Sequence, residues 1–167
     1  MNNTQKYIPQ FDENELKTVQ YHISKYPKPM AAVMPVLWMI QEKYGWISVE
    51  AMKYTGDLLN LPYDHVLGVA TFYTMYFKKP MGRHHLQVCT NVSCMLRGGY
   101  DIFNHITGKL GIKNKEITPD GVFSIEEVEC LGSCATAPML QINNKEFYEN
   151  LTIEKIDELL DTLSKSN

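Results

Sequence analysis

The chain has 167 residues, 44% hydrophobic and 21% charged, with a formal net charge of -3; this is the balance of a soluble globular protein able to bury one good core or two small ones. No lysine and arginine stripe marks a nucleic-acid-binding face, and no apolar run reaches the ~18 residues that would span a bilayer. The opening MNNTQKYIPQ has neither the apolar segment of a secretory signal nor the character of a transit peptide, so the expected compartment is a prokaryotic cytoplasm, with membrane association only through partners.

The first few residues read as frayed. A helix then starts behind Asp12, an N-cap residue followed by the acids Glu13 and Glu15, which the positive helix end favours. Leu16, Val19 and Ile23 give it an apolar stripe, and Pro27 and Pro29 end it. Met30 to Tyr44 is the most apolar helix, with Val33, Val36, Leu37 and Ile40 on one face, Pro35 in its first turn or at a kink, and Gly45 as its C-terminal cap. Ser48 caps a third helix carrying Ala51, Met52, Leu58 and Leu59, and Asn60 stops it. Pro62 suits the first position of a fourth helix, running to about Tyr76. Four helices with short loops read as a small bundle over residues 1–80. His22 and His65 are isolated, and no metal or catalytic spacing occurs here, so the expected role is docking. The aromatic and Met residues, among them Trp38, Phe72, Tyr73 and Tyr76, read as core first and partner surface second.

Lys78-Lys79-Pro80-Met81-Gly82 is a polar, turn-rich hinge and the expected domain boundary. Beyond it, residues 81–167 alternate strands and helices. His84 to Val88 reads as a strand, with His84-His85 as a solvent-side pair. Cys94 falls near the start of a helix that carries Ile102, Phe103 and Ile106 on one face; His105 lies too far along it to be a ligand. Gly98-Gly99 weakens that helix and permits close backbone approach. Thr118-Pro119-Asp120-Gly121 is a turn into a second strand, Val122 to Val128. Met139 to Ile142 is a third, joined by an Asn143-Asn144 hairpin turn to Phe147-Tyr148. Thr152 caps a last helix, packed through Ile156, Leu159, Leu160 and Leu163. The result is an α/β (α+β) sandwich.

All four cysteines fall in two close pairs, Cys89-x4-Cys94 and Cys130-x3-Cys134, each just after a strand. Buried inert thiols, two disulfides and a metal site are the competing readings. Clustering into pairs speaks against the first, and the absence of a secretory signal against the second. Structural zinc favours tighter C-x2-C knuckles, whereas a [2Fe–2S] cluster takes four thiolates on two irons; the wider gaps suit the larger group, while the spacing accommodates both. The lack of C-x2-C argues against a dithiol oxidoreductase. No glycine-rich dinucleotide fingerprint follows a strand, so no dinucleotide site is expected on this chain. Arg97 and the Lys78–Lys79 pair are candidate charges for tuning an anionic cluster, or plain surface charges.

The runs GVATFYTMY, VCTNVSCMLRGGYDIF, TPDGVFSIEEVECLGSCATAPMLQIN and YENLT resemble the 24 kDa, or E, subunit family of NADH:quinone oxidoreductase, respiratory complex I. The resemblance covers the chain from about Lys28 to its C-terminus, and Ala135 departs from a glycine common in relatives. It implies a thioredoxin-like [2Fe-2S] domain behind a small helical bundle, with Cys89, Cys94, Cys130 and Cys134 as ligands of one [2Fe-2S] cluster. It further implies an oxidoreductase subunit without catalytic residues of its own, exchanging single electrons with FMN on a partner flavoprotein subunit that binds NADH. Such a subunit would lie peripherally at the inner membrane through its partners. Related subunits in NAD-linked hydrogenases and formate dehydrogenases, and a structural four-cysteine zinc module, are the alternatives.

Overall fold

A computed structural model describes residues 7–165, and the chain divides into two units, Met1–Pro80 and Met81–Asn167. The frayed start expected of the first few residues lies largely outside the described range. In the first unit, α1 (Glu13–Ser24) opens on a reciprocal capping box: the Asp12 carboxylate accepts from the Asn14 and Glu15 N–H groups, and Glu15 accepts from the Asp12 N–H. Each bond satisfies a donor that the first helical turn leaves without a partner. Val19 is fully buried, but Leu16, on the expected stripe, is exposed.

The expected helix from Met30 is two pieces, a 3-10 turn over Pro29–Ala32 and then α2 (Val33–Tyr44). Pro35 explains the split. Its ring would clash with a carbonyl four residues back in a continuous α-helix, so α2 starts late enough to place Pro35 in its first turn. Gly45, at φ +81°, closes α2. α3 (Val49–Leu59) is capped by the Ser48 hydroxyl, which accepts from the Ala51 N–H at 3.1 Å, and ends at Asn60 in the left-handed region.

α4 (Tyr63–Phe72) follows Pro62, which occupies the cap, and it stops four residues short of the expected Tyr76. The segment after Phe72 satisfies its backbone elsewhere. The Phe77 N–H donates to Gln41 Oε1 at 2.6 Å, the Gln41 amide donates to the Met75 carbonyl at 2.8 Å, and the Phe77 carbonyl accepts from the Ile47 N–H. Tyr76 is thereby buried, its hydroxyl donating to the Met34 carbonyl. Phe72, read as core, is instead 77% exposed. The interior of this unit is apolar, built around Val36, Leu37, Ile40, Ala51, Val66 and Ala70.

The second unit is a four-stranded sheet of order β2-β1-β3-β4. β1 (His84–Cys89) runs parallel to β2 (Phe123–Val128), with Leu86 opposite Ile125 and Cys89 opposite Val128. On its other side β1 is antiparallel to β3 (Leu140–Ile142), which turns back into β4 (Glu146–Tyr148). Asn143 and Asn144 both have positive φ, 54° and 59°, as a tight two-residue hairpin demands. The single helix expected after the first cysteine pair is broken into α5 (Val92–Leu96) and α6 (Gly99–Leu110). Gly98, at φ +90°, cannot continue a right-handed helix. α7 (Ile153–Lys165) starts where the Lys155 N–H meets Thr152 Oγ1, and its Ile156 and Leu160 share one core with Ile102 and Ile106 of α6 and with Leu86 and Ile125 of the sheet.

The solvent-side reading of His84-His85 is corrected for His85, which is 1% exposed. β1 is an inner strand, flanked on both edges and covered on both faces, so alternation does not carry every second residue to water. His85 Nδ1 lies 2.8 Å from Ser124 Oγ, which also accepts the Gly82 N–H. Among the described residues no helix is long and apolar enough to cross a membrane.

Candidate metal centre

Because β1 and β2 are parallel, their carboxyl ends lie side by side, and each runs into a cysteine loop. Cys89 is the last residue of β1 and Cys94 falls in the first turn of α5; Cys130 comes two residues after β2 and Cys134 opens a 3-10 turn, Cys134–Thr136. The crevice outside the carboxyl ends of parallel strands is the usual place for a ligand in such a sheet. The segment entering β3 closes the back of the site. The Met139 carbonyl accepts the Cys89 N–H at 3.2 Å, and its own N–H donates to the Cys94 sulfur.

Two glycines are required by this geometry. A Cβ on Gly99 would lie 2.9 Å from the carbonyl oxygens of both Cys89 and Cys94, closer than real side chains approach, so α6 can start against the first loop only with glycine there. Gly132, at φ +92°, turns the second loop so that its N–H donates to Cys130 Sγ at 3.4 Å. Ala135 is an exposed residue of this loop.

None of the four thiols is disulfide-bonded. They form two pairs of unlike character. Cys89 and Cys94 are each 2% exposed and share a hydrogen bond; Cys130 and Cys134 are exposed, with sulfurs 3.4 Å apart. The pairs also feel each other: Cys134 interacts electrostatically with Cys89 and Cys94, and the Ser93 hydroxyl from the first loop reaches the Cys134 sulfur. Two thiol pairs at one sheet end are a donor set that suits a two-iron group taking four cysteine thiolates.

Burial, and then the bond to Cys89, pushes the Cys94 thiol up to about 11. The bond to Cys130 raises the Cys134 thiol. Both are therefore protonated at neutral pH when no metal is bound, and a metal must displace those protons to bind.

The sequence pattern missed the residues that tie the loops together. Asn91 Oδ1 accepts the Val92 N–H at 2.7 Å, capping α5, while its Nδ2 donates to Glu129 Oε2 at 2.5 Å. An asparagine ahead of a short apolar helix is a legible cap; its partner Glu129 and the backbone of Met139 come from distant sequence and leave no local sign. Arg97 is exposed at the end of α5. His105, set aside as a ligand, bonds Asp157 at 2.8 Å, next to Lys109.

The thioredoxin-like [2Fe-2S] ferredoxin family profile matches residues 19–164. Over 92% of this chain and 93% of theirs, the NADH-quinone oxidoreductase E subunit of Rickettsia bellii is 44% identical and that of Rickettsia felis 43% identical. Among solved structures, the NAD+-reducing [NiFe]-hydrogenase in its H2-reduced state shares the fold, with a TM-score of 0.68 and 20% identity over 79% of this chain and 22% of the hydrogenase chain. A profile spanning both the helical unit and the thiol loops, with relatives matched almost end to end, decides the matter: the chain belongs to the thioredoxin-like [2Fe-2S] ferredoxin family, in the group of NADH-quinone oxidoreductase E subunits.

Proposed function

We propose that this chain is the [2Fe-2S] electron-carrier subunit of the NADH dehydrogenase module of an NADH:quinone oxidoreductase, holding its cluster with Cys89, Cys94, Cys130 and Cys134. The observation that carries this reading is the arrangement of the thiols as two pairs, one buried and one exposed, at the adjoining ends of β1 and β2. Held by those four thiolates, a cluster would supply one-electron chemistry, suited to exchange with FMN on a partner flavoprotein subunit that binds NADH. Cys89 and Cys94, packed with Ala137 and Met139, shield one side from water. The Met139 and Gly132 N–H groups and the Ser93 hydroxyl point at sulfur, where donors stabilise thiolate charge. Cys130 and Cys134 form the exposed side that a redox partner reaches.

No residue of this chain is assigned a catalytic role, because four protein thiolates fill the ligand set and leave no open position for substrate. The helical unit is the docking element: it adds surface, including the exposed Phe72, without ionisable clusters of metal-binding spacing. Attachment to the inner membrane then comes through partner subunits. Separation near residues 78–82 into a bundle and a cluster domain belongs to the same reading.

The test is an ultraviolet–visible and electron-paramagnetic-resonance spectrum with iron and sulfide analysis, before and after NADH, with and without the flavoprotein subunit. Two irons and two sulfides per chain, reduced by NADH only in the partner's presence, are expected. A colourless zinc protein, or rapid NADH oxidation by the isolated chain, overturns the proposal.

A further inference from the structure

Among the described residues, one side-chain pair ties the two thiol loops together through a charged group. Asn91 lies in the first loop, between Cys89 and Cys94; Glu129 lies immediately before Cys130 in the second. Both ends of the Asn91 amide are used. Its Oδ1 accepts the Val92 N–H at 2.7 Å, which fixes the amide's orientation and leaves Nδ2 to donate to Glu129 Oε2 at 2.5 Å. Aspartate would cap α5 as well but would set one carboxylate against another. Beside this pair the Thr90 N–H donates to the Val128 carbonyl at 3.2 Å, and the Ser93 hydroxyl reaches the Cys134 sulfur.

We propose that Asn91 and Glu129 act as a positioning pair that clamps the two cysteine loops around their metal group and sets part of its reduction potential. The inference rests on the four-cysteine [2Fe-2S] reading. Two physical effects are combined in the pair. The cross-loop bond holds Cys130 in register with the first loop, and Cys130 belongs to the exposed thiol pair, which has less packing to hold it. The Glu129 carboxylate places a negative charge one residue from a ligand. Adding an electron makes the site more negative, so this charge favours the oxidised form, and the Asn91 donor partly offsets it.

The holo full chain separates these effects in four forms: wild type, Glu129→Gln, Asn91→Asp and the double variant. Readouts are the midpoint potential from a spectroscopically monitored titration and the rate of iron loss to a chelator. Glu129→Gln keeps an acceptor for the Asn91 amide but removes the charge, so its potential rises while iron loss stays near the wild-type rate. Asn91→Asp opposes two carboxylates, so iron is lost several-fold faster and the potential falls. The double variant reverses donor and acceptor and restores the single negative charge, so both readouts return toward wild type. An unchanged potential in Glu129→Gln, or a double variant no better than Asn91→Asp, overturns the inference. A wild-type chain that holds no [2Fe-2S] cluster overturns the functional reading beneath it, a distinct result.

Discussion

The two units differ in what their buried polar side chains bond to. In the first, the buried polar side chains Gln41, Ser48 and Thr55 all bond to backbone: Gln41 to Met75 and Phe77, Ser48 to Ala51, Thr55 to the Ala51 carbonyl. Gln41 and Ser48 close a connecting segment and a helix start, and Thr55 bonds back within α3. In the second, Thr118, Ser124 and Gln87 also bond backbone, but His85 and Ser124 bond to each other across two strands, and Gln87 bonds to the Asn144 side chain. Two of the four thiols are also buried, at one end of the sheet. The helical unit therefore uses polarity to finish a fold. The sheet unit adds bonds from side chain to side chain across neighbouring strands, and its four cysteines stand beyond them, at the carboxyl ends of β1 and β2.

The sharpest way to break this contrast is to remove a thiol. Replacing any one of Cys89, Cys94, Cys130 or Cys134 with Ala should abolish a stable cluster, because one iron is left with a single thiolate. Normal iron and sulfide content in any of the four variants removes that residue from the ligand set. Next in size is Gln41→Leu in the helical unit. It removes the Gln41 bonds to the Phe77 N–H and the Met75 carbonyl, worth about 0.5–1.5 kcal/mol each. Denaturant midpoints should fall accordingly while the cluster spectrum stays unchanged; a shifted spectrum would erase the division of roles.

Within the sheet unit, two glycines of α6 should behave in opposite ways. Gly99→Ala drives a methyl against two carbonyls of the cysteine loops, an overpacking cost of about 1–3 kcal/mol, with faster iron loss to a chelator. Gly108→Ala meets nothing within 4 Å and gains helix propensity, about 0.5–1 kcal/mol. Equal melting shifts in the two variants would show that the close approach at Gly99 does not matter. Cutting the chain is milder still for the cluster. A fragment from Gly82 onward contains all four thiols and the sheet, and it should fold and reconstitute. An insoluble or empty fragment, under conditions where the full chain reconstitutes, would make the bundle part of the cluster fold.

The features legible in the sequence were those decided within a few residues. Asp12, Ser48 and Thr152 cap because a short oxygen side chain precedes a helix; Asn143-Asn144 turns because asparagine tolerates positive φ. The fold class and the two cysteine pairs were legible for the same local reason, reinforced by family resemblance. What could not be read was decided at a distance. Tyr73 to Phe77 continues the helical pattern of α4, yet Gln41, some thirty-five residues away, competes successfully for its backbone. His85 looks like a polar residue at a strand's start until β2 and β3 flank it. The division of the thiols into a buried and an exposed pair follows from Met139 and α6 packing behind the first loop, which no spacing of cysteines encodes.

The smallest predicted effect lies in the buried polar set that gives the sheet unit its character. The His85 imidazole, followed by the Lys115 ammonium, holds the Glu126 carboxyl below its ordinary range; the contacts are 3.6 Å to His85 Nε2 and 3.3 Å to Lys115 Nζ. At 3.6 Å the imidazole contact is electrostatic, being longer than a direct hydrogen bond. A carboxyl with a lowered folded pKa binds fewer protons folded than unfolded in the interval between the two values, so stability rises with pH there. The contribution is complete above the unfolded value, about 4.3, and is lost as pH falls through the folded one. The pair is partly solvated, with Glu126 28% and Lys115 62% exposed in their side chains, so screening keeps the effect at or below about 1 kcal/mol. Glu126→Gln in the metal-free chain should therefore lower the urea midpoint slightly at pH 7 and leave it near wild type at about pH 3. The wild-type chain would lose more stability than the variant between those two conditions. Identical losses in both chains would mean that His85 and Lys115 do not stabilise the Glu126 carboxylate. His85 would then be buried for its bond to Ser124 alone, and the sheet unit's polar interior would be closer in kind to that of the helices.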